Sequence, residues 1–204
     1  MRIITISREF GSGGRELGKR MADSLGWAYY DREIITAIAQ NKGLDESYVE
    51  QTLDTSTAPQ FVFTFRNSFA LPGVIQTPQT ELLQEQKKVI DSIAAAGYDC
   101  VIVGRNADVL LRKYNPMSIF VCADQEAKVQ RCLERAAEGE ELTRDEIIKN
   151  MRRIDKNRAR TREILTGSRW GDPAAYDLVI NTTGWSIKKL APAAAVFAAS
   201  WFRR

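Results

Sequence analysis

Apolar positions crowd the first strand-length run, Ile3-Ile4-Thr5-Ile6, and then fall into a spacing of four at Leu17, Met21 and Leu25. The dense run predicts a strand over residues 3–7 that is buried on both faces. The wider spacing predicts an amphipathic helix over 15–25. The same alternation recurs along the chain. Gly26-Trp27 breaks the helix, an aromatic strand follows at 28–32, and a helix at 33–40. Residues 45–53 read as helix. So do residues 80–96, with Leu82, Leu83, Val89, Ile90 and Ile93 on the apolar side and Gly97 as the stop. Strands are predicted at 99–103, 118–122 and 177–181. Helices at 125–137 and from Thr143 separate the last of them, with Thr143 and Glu146 forming a capping box. An Ala-rich helix from Ser186 closes the chain. Strands alternating with helices predict an α/β fold: a parallel sheet of about five strands with helices on both faces.

Between the first strand and the first helix lies Arg8-Glu9-Phe10-Gly11-Ser12-Gly13-Gly14. Glycines let consecutive backbone N–H groups converge on an anion, and the helix behind adds the positive end of its dipole. The candidate phosphate-binding residues are Gly11, Ser12, Gly13, Gly14, Arg15 and Glu16. A literal G-x-x-x-x-G-K at Gly13, Gly18 and Lys19 falls inside the helix and is set aside. In the register that follows the strand, Gly14 takes the place of the lysine, so Arg8 or Arg15 must supply the charge. Glu16 stands in the first helical turn, where Ser or Thr usually ligates magnesium. It either approaches a metal or interacts with the helix dipole. A glycine turn with no ligand is the alternative for the whole stretch.

Composition narrows the classes. With 204 residues and 44% hydrophobic content, the chain can bury one substantial core, which favours a single domain over 1–204. No apolar run approaches a membrane span and the chain opens on a strand rather than a signal peptide, so a cytoplasmic protein is expected. Cys100, Cys122 and Cys132 lack C-x-x-C spacing and are expected as buried free thiols. The absence of histidine excludes His-based triads and leaves carboxylates, arginines and backbone amides for any chemistry. A net charge of +3 is too small to imply a nucleic-acid protein.

The charge is unevenly placed, with nine basic residues against four acidic ones over 144–169. Asp155, Arg158 and Arg162 share one face of the helix there, with Arg152 and Lys156 beside it. Such a cluster suits neutralisation of a moving phosphoryl group, and it equally suits a solvated face laced with ion pairs. Arg32 and Gly104-Arg105-Asn106 follow strands, at the edge where parallel sheets bind ligands. Residues 43–77 are irregular. Phe61, Phe63, Phe65 and Phe69 fit a helix face or a strand face, and serve a substrate cover, a homodimer contact or plain core packing.

Taken in order, the motifs around residues 6–16, Tyr30-Asp31-Arg32, Val103-Gly104-Arg105-Asn106, residues 154–160 and residues 176–182 resemble the cytidylate kinase-like family of P-loop nucleoside monophosphate kinases. The resemblance implies ATP with magnesium as donor, a small-molecule nucleotide as acceptor, an acceptor-binding insertion at 43–77 and a lid at about 139–170. It also implies roles by position. Arg32 and Arg105 grip the acceptor, Asn106 stands where the family's Asp reads cytosine, Asp155 holds the acceptor sugar, and Arg158 bridges the phosphates. Gly14 in place of lysine and Val103 in place of an acidic residue depart from the pattern. CMP or dCMP is the simplest acceptor expected. A silent nucleotide sensor and a kinase of another metabolite are the competing readings.

Overall fold

The structure is a computed structural model that describes residues 1–54, 78–136 and 143–204. The expectations for Phe61 to Phe69 lie outside these residues, as does part of the expected lid. Strands β1 (Ile3–Arg8), β2 (Ala28–Tyr30), β3 (Cys100–Val103), β4 (Met117–Cys122) and β5 (Leu178–Asn181) form one parallel sheet in the order β2-β3-β1-β4-β5.

The first strand lies at the centre because both of its faces are covered. Ile4 and Ile6 pack with Leu17 and Met21 of α1 (Gly14–Leu25) and with Ala191, Ala194 and Ala195 of α8 (Ile187–Trp201). Ile3 faces the opposite way, into a core built by α2 (Arg32–Lys42), α3 (Glu46–Asp54) and α4 (Pro78–Ala95) through Ile34, Ile38, Val49, Leu82 and Ile90. Burial on both faces is why the strand reads as a continuous apolar run. Three layers result, helix on sheet on helix.

Pairing of Ile6 with Val103 and of Arg8 with Val121 brings the carboxyl ends of β1, β3 and β4 together. The chain leaves β1 toward β2 on one side of the sheet and later continues to β4 on the other. The crevice outside the end of β1 is therefore the topological switch point, where open α/β sheets bind ligands.

Several boundaries move. The second strand stops at Tyr30, so buried Asp31 precedes α2 and Arg32 is that helix's first residue. The helix α6 (Gln125–Leu133) ends before the expected 137. Periodicity gave no sign of α5 (Ala107–Leu110), a single turn after β3. The capping box at Thr143 and Glu146 does begin α7 (Arg144–Thr166). All three cysteines are free, but Cys100 alone is fully buried, with Cys122 and Cys132 half-buried. Among the described residues no helix is long and apolar enough to cross a membrane.

Candidate functional site

The loop after β1 is braced from beneath. The Ser12 hydroxyl and amide both donate to the Glu9 carbonyl, at 2.8 and 3.3 Å, and the Ser12 carbonyl accepts from Thr182 Oγ1 at 2.7 Å. Ser12 is fully buried, so it shapes the loop, while Gly11, Gly13 and Gly14 line the cavity above it. Glu9 is held by Lys128 Nζ at 2.9 Å and by the Ala123 amide at 3.2 Å.

That cavity measures about 500 Å³ and lies at the switch point. Arg8, Arg15, Arg105, Asn106 and Arg158 line it together, as do Gln86 and Trp170. Five residues singled out by sequence, drawn from three separate stretches of chain, thus meet in one space. Arg105 and Asn106 both have left-handed backbones, with φ of 58° and 52°. Such angles are uncommon outside glycine, and they recur at ligand sites where surrounding contacts hold them. Here Gln86 of α4 donates to the Arg105 carbonyl at 3.0 Å, and the Arg105 side chain faces Glu50 at 3.7 Å.

The electrostatics are strongly positive. Burial, with Arg158, Arg105 and Arg15 nearby, pushes the Arg8 guanidinium down to about 9, while Asp31 acts in the opposite direction. Arginine keeps its proton, so the burial of this guanidinium beside three other arginines favours an anion in the cavity. Asp31 also pairs with Arg15.

Helix α7 reaches the loop from above. The Phe10 amide donates to Asp155 Oδ1 at 2.8 Å, and Arg158 Nη1 donates to the Arg8 carbonyl at 3.1 Å and to Asp155 Oδ1 at 3.3 Å. Burial raises the Asp155 carboxyl, against the pull of the Phe10 amide and Arg158. This carboxylate is turned to the loop rather than lining the cavity.

Other expected residues stand apart. Arg32 is exposed and lines an open groove beside the cavity, so it does not join Arg105 there. Arg162 leaves the expected arginine cluster and is buried against Asp108 of α5, with its guanidinium 4.9 Å from the centre of the Tyr176 ring. Arg152 and Lys156 point to solvent. Glu16 is engaged by Arg20 at 2.7 Å and by Arg135.

The Glu16 clamp bears on magnesium. Among the described residues no three acidic or cysteine side chains stand together, and Glu9, Glu16 and Asp31 are each paired with basic side chains. A magnesium ion arriving with ATP would draw most of its ligands from phosphate oxygens and water.

Sequence reading missed Arg131 and Arg135, which also line the cavity. Arg131 donates to Thr182 Oγ1 at 3.0 Å and to its carbonyl at 2.6 Å, tying α6 to the end of β5. Their signal was present: Lys128, Arg131 and Arg135 are spaced for one face of the helix expected over 125–137, although Arg135 lies just past the end of α6.

Comparison with known proteins bears on family and fold. The chain is 26% identical to a cytidylate kinase of Dichelobacter nodosus (strain VCS1703A) over 92% of each chain. An uncharacterized protein from Eubacterium ventriosum ATCC 27560 superposes with a TM-score of 0.71 at 23% identity, covering 98% of this chain and 99% of the other. Shikimate kinase from Acinetobacter baumannii, in complex with shikimate, superposes with a TM-score of 0.55 at 12% identity, covering 98% and 94%. At these identities the two structures share the fold. The cytidylate kinase-like family model matches residues 3–184, so the chain belongs to the cytidylate kinase-like family.

Proposed function

We propose that this protein transfers the γ-phosphoryl group of ATP to a small anionic acceptor, most simply a nucleoside monophosphate such as CMP or dCMP. The single observation that supports this reading best is the convergence of Arg8, Arg15, Arg105 and Arg158 on a glycine loop at the switch point. Family membership and the kinase named among its relatives support it independently.

In the reaction an acceptor phosphate oxygen bonds to the γ-phosphorus as the bond to the β-γ bridging oxygen breaks, and ADP leaves. Little covalent work falls to the protein, which must align the two anions, neutralise their charge and exclude water. The amides of Gly11, Gly13 and Gly14 would hold the β-phosphate. Arg158, fixed to the loop through the Arg8 carbonyl, would follow the moving group. Arg105 and Asn106, locked in left-handed backbone, would fix the acceptor. Magnesium would enter as the counter-ion of ATP, and no step is assigned to it.

The test is ADP release with ATP and magnesium against a panel of nucleoside monophosphates, beside Arg158→Ala. Turnover with CMP or dCMP that falls about a thousandfold or more in the variant is expected for an arginine on the transferred group. ATP binding without turnover of any monophosphate would remove this reading.

A further inference from the structure

Two glycines at the site both lie against Arg8. A Cβ added to Gly14 would lie 2.6 Å from the Arg8 Cβ and 3.1 Å from its Cγ, both atoms of the stem rather than of a flexible tip. A Cβ on Gly104, whose φ is +76°, would lie 1.7 Å from Arg8 Nη1 and 2.8 Å from its Cζ. The Arg8 side chain therefore starts in the space that a side chain at position 14 would need and ends on the backbone of Gly104.

We propose that Arg8 is the phosphate-binding cation of this loop, replacing the lysine that Gly14 lacks, with the β- and γ-phosphates of a nucleoside triphosphate as its ligand. The assignment rests on the ATP-binding part of the reading above. Placed on the strand-following register of G-x-x-x-x-G-K, Arg8 occupies the first glycine position and Gly14 the lysine position. Glycine and cation have exchanged ends of the motif. The exchange is sterically consistent because only one of the two positions can carry bulk.

Arg15, the other candidate for this role, is placed differently. Its side chain is 56% exposed and its Nε rests on Asp31, whereas that of Arg8 is 12% exposed with Nη2 3.7 Å from the same carboxylate. Among the described residues Arg8 thus sits deep in the cavity with one loosely spaced counter-ion and its guanidinium fork turned to the space that phosphate oxygens would fill. When a nucleotide binds, phosphate oxygens replace Asp31 as the main partner of Arg8, and Arg15 keeps Asp31 neutralised.

Calorimetric titration with ATP tests this on the native protein and on Arg8→Gln, Arg8→Gly, Gly14→Lys, Arg15→Ala and the double variant Arg8→Gly/Gly14→Lys, each checked by thermal melting. Arg8→Gln is expected to weaken ATP about tenfold to a hundredfold. The double variant is expected to recover most of what Arg8→Gly loses, because the Arg8 stem is gone and the Val121 Cβ, at 3.2 Å, crowds position 14 less. If Gly14→Lys alone fails to fold while the double variant folds, the crowding by Arg8 is upheld directly. A double variant that binds no better than Arg8→Gly overturns the assignment, as does an Arg15→Ala loss equal to that of Arg8→Gln. The expected pattern without monophosphate turnover upholds Arg8 and removes the kinase reading. No ATP affinity in the native protein overturns both.

Discussion

The carboxylate of Asp155 accepts the amide of Phe10 at 2.8 Å, so helix α7 caps the loop that follows β1, across 145 residues of sequence. The bond joins the densest basic stretch of the chain to the glycine loop, and its acceptor is half-enclosed. Replacing Asp155 with Ala leaves the Phe10 amide without that acceptor and is expected to lower stability by about 1–3 kcal/mol. Urea denaturation of the two proteins would measure it.

The same carboxylate predicts a pH effect. Burial raises its folded pKa above the unfolded value, so the native state binds the extra proton more readily. Between those two values the native state holds more protons than the unfolded one, and stability falls as pH rises through the window. Asp155→Asn removes the titration. Its melting temperature relative to the native protein should rise as pH increases from below the ordinary carboxylate value to neutrality, and a constant difference would contradict this.

Asp108 and Arg162 predict a different kind of loss. Both side chains are nearly fully buried, and the pair fastens the second half of α7 to the turn carrying Arg105 and Asn106. Removing one partner strands the other charge, so Arg162→Met is expected to destabilise the fold by about 3–5 kcal/mol. The paired replacement Asp108→Leu/Arg162→Met should be far milder. Denaturant midpoints of the single and double variants distinguish the two.

Thiol chemistry gives a further check. Burial pushes the Cys100 thiol up to about 11 and raises the Cys132 thiol as well, but Cys132 is half-buried and lines the cavity beside the glycine loop. Iodoacetamide at neutral pH should leave Cys100 unmodified in the folded protein. Modification of Cys132 should be slowed by saturating ATP, as read by peptide mass mapping.

Asp31 holds two arginines, and Asp31→Asn is expected to lower the melting temperature while enlarging the rise produced by ATP. The direction follows from linkage, since a cavity with less internal compensation gains more from a bound anion. An unchanged or smaller ATP-induced rise would refute it.

Much of the fold was legible because its causes are local. The run at Ile3 to Ile6, the spacing of Leu17 and Met21 and the box at Thr143 each encode their own element. That the glycine loop and Arg105 share one cavity was legible for a related reason: strand ends and glycines announce the sheet's carboxyl edge. What periodicity cannot encode is the partner across the fold. Arg158 and Arg162 share a helix and a charge, yet one reaches the loop and the other turns to Asp108, which lies 54 residues away in sequence. Arg32 looked equivalent to Arg105 but opens a helix on the exposed side of the groove. Glu16 looked available to a metal until Arg20 and Arg135 closed on it. The left-handed turn at Arg105 and Asn106 depends on Gln86, supplied by a helix whose apolar side was all that the sequence displayed.

The crowding between Arg8 and Gly14 also constrains the routes open to this sequence as it drifts. A lineage carrying lysine at the start of the helix and one carrying arginine at the end of the strand are separated by two substitutions. Either order of single steps passes through an intermediate that is overfilled or lacks its cation. The two arrangements are thus expected to persist as separate branches, with positions 8 and 14 changing together or not at all.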